Sequence, residues 1–450
     1  MRIVVKIAYS HPYFPVYHRE STSGATADER QRLRILIYGL NYAPELTGIG
    51  KYTGEMAAWL ADQGHEVRVV TAPPYYPAWR IRDDYRGAWY RIEHAPGRPL
   101  VFRTPLYVPK RPSGIKRIVH LFSFMLGSLP VMLRQMFWQP QVIFTVEPTF
   151  FCAPLTLFVA RSAGAASWLH VQDFEVDAAF ELGLLPAQGP IHDAALRTEK
   201  FFTFAFDRIS GISSKMVERA VAKGMPANRV TLFPNWVDVD AIYPFNPAEN
   251  RSNIIRAELA AQVPDIANKV ILLYSGNMGA KQGLELLAPL AESFASDPRI
   301  HFIFCGDGAF RPRLESLVAH RPNVSMLPLQ PLARLNDLLN AADIHLLPQR
   351  ASAADLVMPS RLSAMLSSGR PVIATAHPGT QVAMVVEGRG LAVPAEDSDA
   401  LHAAVLRLVE DRQLRLQLGS AAREYAVQNL GKQSVLEQFE HDLKALVEHP

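Results

Sequence analysis

The chain has 450 residues, of which 49% are hydrophobic and 20% charged. That composition is globular, long enough for two or three domains, and excludes a disordered or fibrous class. A formal net charge of +3 is too small to point to nucleic acid.

Residues 1–33 lack the charged, apolar and small-residue order of a signal peptide. They have no periodicity from about His11 onward, and Ser21–Arg32 reads as a loose polar tail. We take 1–33 as an extension, partly disordered. Arg34–Tyr38 is then an apolar strand, followed by the loop Gly39–Gly50 and the helical pattern Tyr52–Gln63, which Gly64 stops. Glu66–Thr71, Leu100–Arg103, Val142–Val146, Ala165–His170, Arg208–Ile212 and Val230–Phe233 read as further strands. Continuous apolar strands separated by helices imply a parallel sheet covered on both faces, so 34–235 is expected to be one domain.

Residues 236–269, polar and bearing Pro and Asn, read as a linker. A second series begins with Val270–Ser275 and a helix from Leu284. It continues through the strands His301–Cys305, Val324–Met326, Ile344–Leu347, Val372–Thr375 and Leu391–Val393. This gives a second domain over 270–433, with the helix of 434–450 folding back across the first. The expected class is α/β, two Rossmann-like doubly wound parallel-sheet domains facing a cleft.

Charge is unevenly spread. No Asp or Glu occurs from His94 to Val146, a window holding Arg98, Arg103, Lys110, Arg111, Lys116, Arg117 and Arg134. Within it runs the apolar stretch Ile118–Leu133, broken by His120 and Pro130 and short for a bilayer-spanning helix, so no transmembrane segment is expected. The window reads either as a face on an anionic membrane or as a buried helix with a solvated basic flank. Two cysteines, Cys152 and Cys305, lie far apart without metal-ligand spacing and read as reduced core residues of a cytosolic protein.

In doubly wound sheets ligands bind beyond the carboxyl ends of the strands. Gly48 and Gly50 follow the first strand and open a helix, where backbone N–H groups favour a negative ligand. Thr53 stands where a dinucleotide fingerprint needs its third glycine, which argues against a nicotinamide cofactor. His170 ends a strand and is placed to touch a substrate hydroxyl or to be a satisfied structural histidine. The acids Asp173, Glu175 and Asp177 have no metal-ligand pattern and read as solvated loop acids. In the second series, Gly276, Asn277 and the single cation Lys281 precede a helix, an arrangement suited to a diphosphate. Gly306 and Asp307 form a turn for a base or ribose edge. Pro359 and Ser360 mark a helix start that, with Arg361, is either a phosphate site or simple capping with a solvated arginine, and Asp355 or Glu387 is the candidate for the ribose.

Taken in this order, several stretches resemble the retaining glycosyltransferases of the GT-B fold, family 4. They are Thr47-Gly-Ile-Gly with Gly64-His-Glu-Val-Arg-Val-Val-Thr71, Phe233-Pro-Asn235-Trp-Val-Asp238, Tyr274-Ser-Gly276 with Lys281-Gln-Gly283, Cys305-Gly-Asp-Gly308 and Pro371-Val-Ile-Ala374. The Gly-Asn-Met-Gly-Ala-Lys-Gln-Gly-Leu-Glu run from Gly276 and Asp355-Leu-Val-Met-Pro-Ser-Arg361 are similar to an exopolysaccharide and O-antigen branch that includes fucosyl-type enzymes. The resemblance implies that His170 is the active-site histidine of the first lobe and that Lys281, with Asn277, meets the donor diphosphate. It implies that Ser360 and Arg361 border the phosphates. The implied donor is a GDP- or UDP-linked sugar, with no cofactor or metal required. The implied acceptor is a polyprenyl-diphosphate-linked glycan, met by a cytoplasmic enzyme lying on the inner membrane surface through Lys110, Arg111, Lys116 and Arg117. Two features depart from the family. The glutamate pair is missing, its places falling near Leu356 and Ala364, and Asn277 replaces a basic residue. A nucleotide-sugar epimerase and a catalytically degenerate partner subunit are the competing readings.

Overall fold

A computed structural model describes residues 3–7, 32–45, 48–87, 89–110, 114–147, 150–172, 188–246, 249–250, 252–279, 282–350 and 359–448. Arg111, Asp173, Glu175, Asp177, Lys281, Asp355 and the tail 8–31 lie outside the described residues. The chain divides into two compact units, 1–233 with 436–450, and 234–435.

The first unit is built on a nine-stranded sheet of order β1-β4-β5-β3-β2-β6-β7-β8-β9. Its strands are β1 (Ile3–Ile7), β2 (Arg34–Gly39), β3 (Glu66–Thr71), β4 (Tyr90–His94), β5 (Leu100–Arg103), β6 (Val142–Val146), β7 (Ala166–Val171), β8 (Arg208–Gly211) and β9 (Val230–Leu232). Neighbours pair in parallel except β4 and β5, which are antiparallel. The inner strands are almost wholly buried, which is why they read as unbroken Val, Ile and Leu runs. Two strands escaped the sequence reading. β4, Tyr-Arg-Ile-Glu-His, is half-buried and alternates too weakly to stand out. β1 falls inside the extension 1–33, where Ile3 pairs with Tyr90 and Ile7 with His94.

Helices α1 (Ile49–Asp62), α2 (Gly114–Gln135), α3 (Ala153–Ala163), α4 (Pro190–Phe204) and α5 (Ser214–Ala222) link these strands. The connections through α2, α3 and α4 all step the same way along the sheet, whereas the one through α1 steps the opposite way. Right-handed crossovers therefore lay α2, α3 and α4 on one face and α1 on the other. Alternate strand residues follow suit. Leu36, Tyr38 and Ile143 pack with Phe124 and Met132 of α2 and with Leu155 and Val159 of α3.

Helix α2 is longer than the apolar run suggested: 22 residues, and with the turn Met136–Trp138 long and apolar enough to cross a membrane by length and composition. Its every-fourth-residue stripe His120, Phe124, Ser128 and Met132 is nevertheless buried. Gln135 at its end accepts a bond from Arg68 (3.1 Å), and Tyr90 donates to the Gly127 carbonyl (3.1 Å). These contacts are those of a helix lying on its own sheet.

The second unit carries a parallel sheet of order β12-β11-β10-β13-β14-β15. Its strands are β10 (Val270–Asn277), β11 (Ile300–Asp307), β12 (Val324–Leu327), β13 (Ile344–Leu347), β14 (Val372–Thr375) and β15 (Gly390–Val393). Its helices include α6 (Ile254–Ala260), α7 (Leu287–Ser293), α8 (Arg311–Val318), α9 (Leu335–Ala341), α10 (Ser360–Ser367), α11 (Gln381–Val386), α12 (Ser398–Glu410) and α13 (Arg412–Leu430). Residues 236–269 are not a linker. Val237, Ile242, Ile255, Leu259 and Val263 enter this unit's core, and Asn253 caps α6 by accepting from the N–H groups of Ile255 and Arg256. The polar residues that suggested a connection are turn and cap positions between these anchors. The last helix, α14 (Lys432–Glu448), seats Phe439 on Phe233, their rings stacked 4.2 Å apart, within the first unit.

Candidate functional site

In the second unit the tips of β10 and β11 are pressed together. Gly276 pairs with Gly306 and Asn277 with Asp307. Gly306 has φ +151°, and a Cβ there would fall onto the Gly276 carbonyl oxygen. One on Gly308 would come within 2.6 Å of the Met278 carbonyl. These two glycines thus answer first to neighbouring main chain, a demand the sequence alone did not reveal. Gly276, at φ +132°, has a different neighbour, since its Cβ position lies 3.4 Å from a guanidinium nitrogen of Arg361.

Arg361 is the second residue of α10, whose N-cap is Pro359 and first residue Ser360. It donates to the Tyr274 hydroxyl (2.8 Å) and the Pro348 carbonyl (3.4 Å), and its guanidinium lies 5.0 Å from the centre of the Tyr274 ring. Tyr274 in turn donates to the Asn277 carbonyl at 2.6 Å. No carboxylate among the described residues pairs with Arg361. Among the described residues its Nε is buried without a partner, as are Gln282 Oε1 and Gln349 Oε1, which follow the ends of β10 and β13 in sequence. The result is a cation fixed in direction and, among the described residues, left unneutralised beside a glycine turn, a disposition suited to an anion. Asn277, Asp307 and Ser360 are exposed at these tips, and Asp307 accepts from the Gly308 N–H at 2.8 Å. The sequence places Tyr274 and Gln349 in candidate stretches but gives neither a role, because the partners that define them lie far along the chain.

In the first unit His170 is the penultimate residue of β7 and only 4% exposed. The Gln172 carboxamide donates to Nε2 (2.9 Å), so Nδ1–H donates to Ser210 Oγ (2.8 Å), which also accepts from Trp168. Phe144 and Phe233 lie on the ring, at centroid distances of 5.5 and 5.0 Å. Burial pushes the imidazole down to about 3. His170 is therefore a neutral group with both nitrogens engaged, and a substrate would reach Nε2 only by displacing Gln172.

The loop before α1 is organised by a residue the sequence reading passed over. Glu45 is 5% exposed and accepts from the N–H groups of Tyr75 and Tyr76 (both 3.0 Å) and from Asn41 (2.9 Å). A Cβ on Gly50 would stand 2.7 Å from the Glu45 carboxylate, and Gly48 is left-handed at φ +61°. Burial raises the Glu45 carboxyl, an effect its three donors oppose. Gly48 and Gly50 are therefore needed to let this acidic clamp lie against the helix start.

Of the basic window, Lys110, Lys116 and Arg117 are exposed. Arg103 is buried and spent internally, bonding Glu93 (3.1 Å) and the Ala72 carbonyl (3.0 Å), and Arg98 pairs with Asp62 (3.7 Å). Among the described residues no group of three His, Cys, Asp or Glu is close enough to hold a metal ion.

Two families match the chain. "Glycosyl transferase 4-like domain" spans residues 47–236, and "Glycosyl transferases group 1" spans 256–425. The Escherichia coli (strain K12) protein WcaI, assigned to colanic acid biosynthesis as a glycosyl transferase, is 41% identical over 92% of this chain and 100% of its own length. Among solved structures, a sucrose-phosphate synthase from Thermosynechococcus elongatus superposes with a TM-score of 0.69 at 20% identity, covering 93% of this chain and all of its own. Anabaena HepE, solved with UDP, gives 0.65 at 15% identity over 92% of this chain and all of its own. With a domain of that kind matched in each unit and a relative so similar along its whole length, this chain belongs to the family 4 GT-B glycosyltransferases.

Proposed function

We propose that the protein moves a sugar, fucose or a related deoxysugar, from a GDP- or UDP-linked donor to a polyprenyl-diphosphate-linked glycan in exopolysaccharide assembly. The observation that carries the donor half is Arg361, held at Gly276 by Tyr274 with no carboxylate among the described residues to neutralise it. In this reading the donor diphosphate meets the tips of β10 and β11, the start of α10 with Pro359 and Ser360, and Lys281. Asp307 and Asp355 are assigned to the ribose side. The place of the similar E. coli protein in colanic acid biosynthesis supports a polysaccharide product, and the UDP bound by HepE supports a nucleoside-diphosphate donor.

In the proposed step the acceptor hydroxyl oxygen attacks the anomeric carbon on the face that the diphosphate leaves. The carbon–oxygen bond to the diphosphate breaks with its electron pair, and a diphosphate oxygen takes the hydroxyl proton. Lys281 and Arg361 stabilise the charge that grows on the leaving group, so full activity in EDTA is expected. His170 fits this scheme as a neutral hydrogen-bonding group, since a ring held near 3 is a poor base at neutral pH.

The first unit is proposed to take the acceptor at a membrane surface. Exposed Lys110, Lys116 and Arg117, together with Arg111, would meet anionic headgroups, and the outward stripe Ile115, Val119, Phe122 and Leu126 of α2 would enter the interface. The test is thermal stability in the presence of GDP- and UDP-sugars. A cognate donor at a hundredfold excess over its Kd adds about 2.7 kcal/mol of stability. No rise in Tm with any nucleotide sugar overturns the donor assignment. Sedimentation with anionic vesicles that survives neutralisation of the four cations overturns the membrane face.

A further inference from the structure

The first unit holds a cavity of about 390 Å³ between α3 and the end of α4. Leu157 and Phe158 line it from α3, Phe201 and Phe202 from α4, and Ala205 just after α4. Phe158 is 54% and Phe201 70% exposed, an unusual cost for two aromatic rings on neighbouring helices. One charge stands at the cavity, Arg161, which has no carboxylate partner among the described residues. An apolar slot with a single unneutralised cation matches an anionic amphiphile: a hydrocarbon chain inside and a phosphate at the mouth.

The position of the slot selects the source of that chain. Arg161 comes five residues before β7 and Ala205 three before β8, so the charged end of the slot lies toward the amino ends of these strands, while Pro154, the second residue of α3, also lines it. Donor chemistry belongs to carboxyl ends. An acceptor whose diphosphate must reach those ends is poorly placed to thread its chain here, whereas a bulk lipid has no such constraint. The slot also opens on the helical layer that presents the apolar stripe of α2, because α2, α3 and α4 share one face of the sheet and Phe122 of α2 packs on Phe151 just before α3 (6.1 Å). We propose that this slot binds one acyl chain of an anionic phospholipid, with Arg161 on its phosphate, and so fixes how the first unit sits on the bilayer. The proposal rests on the membrane reading given above.

Two probes separate the two claims. The full chain is mixed with vesicles of equal parts phosphatidylglycerol and phosphatidylcholine that carry phosphatidylglycerol with a mid-chain diazirine, and, separately, with a short-chain soluble version of the same photoprobe below its micellar concentration. After irradiation, labelled peptides are mapped by mass spectrometry. Labels on 154–162 and 201–205 are expected with both probes. Ala205→Trp, which fills the slot, should abolish them, and Arg161→Glu should lower labelling roughly tenfold. Phe158→Gln, at an exposed position, serves the same purpose should the tryptophan variant fail to fold. Vesicle binding with labels confined to α2 overturns the slot and leaves the membrane reading standing. Slot labelling by the soluble probe without vesicle binding supports the slot and overturns the membrane reading. Stronger labelling by a polyprenyl-phosphate photoprobe would assign the slot to the acceptor instead and overturn the proposal as stated.

Discussion

In the proposed donor site, Arg361 and Lys281 would divide the work of meeting a diphosphate: a guanidinium held by Tyr274 would supply direction, and an ammonium a compact charge. Lys281→Ala should slow turnover by roughly 100-fold at saturating donor, the loss typical of one transition-state donor; an unchanged kcat would remove Lys281 from the chemistry. Tyr274→Phe deletes the hydroxyl that orients Arg361 and keeps the ring. It should raise the donor KM by about tenfold with a smaller change in kcat, because one hydrogen bond to a charged group is worth about 1.5 kcal/mol. A variant with wild-type KM would mean that Arg361 needs no such orientation. Much of this could be read beforehand, since Gly276, Asn277 and Arg361 lie at a strand end and a helix start. Tyr274 could not be linked to Arg361 in that way, for 87 residues separate them.

At the level of elements, the close approach of the strand tips shapes the second unit's candidate site. Gly306→Ala would put a methyl group onto the Gly276 carbonyl at a φ of +151°. The expected cost is about 3 kcal/mol, visible as a lower urea midpoint at constant m, and small loss would mean that the tips can part. Helix α14 makes the corresponding case for the first unit. Phe439 is 2% exposed and packs on Phe144, Trp168 and Phe233. Phe439→Ala should cost about 3–5 kcal/mol by the same assay. The helix is legible as a periodic segment expected to fold back across the first domain, but its apolar residues do not say which side chains they meet there.

For the molecule as a whole, buried histidines make stability depend on pH. Burial pushes His170 and His345 down to about 3 and His301 to about 4, against an ordinary value of 6.5. Between those values the unfolded chain binds protons that the folded chain refuses. Stability is therefore fully present above 6.5 and falls as pH is lowered toward the folded values, each histidine contributing a slope of up to about 1.4 kcal/mol per pH unit. His345, with no exposed surface, bonds Ser368 through Nε2 (2.9 Å). Replacing it with Gln should flatten the acid limb by about one proton in urea unfolding at a series of pH values. An unaltered slope would mean that His345 stays neutral in the acid-unfolded chain as well, contrary to ordinary imidazole behaviour.

Local physics alone determined the alternation of buried strands and amphipathic helices, the glycine-bearing loops after β2 and β10, and the start of α10. Each is written in a short run whose period or turn chemistry needs no distant partner. Tertiary structure decided the rest. Segment 236–269 became core because Val237, Ile242 and Ile255 found apolar partners far along the chain, while its polar residues merely capped and turned. α2 took its orientation from a sheet that covers one stripe and leaves the other bare. Glu45 acquired its role from the N–H groups of Tyr75 and Tyr76, some thirty residues away, and His170 its neutrality from the aromatic rings that enclose it. Burial and partnership are properties of a packed neighbourhood, and a neighbourhood assembled from distant segments has no local signature.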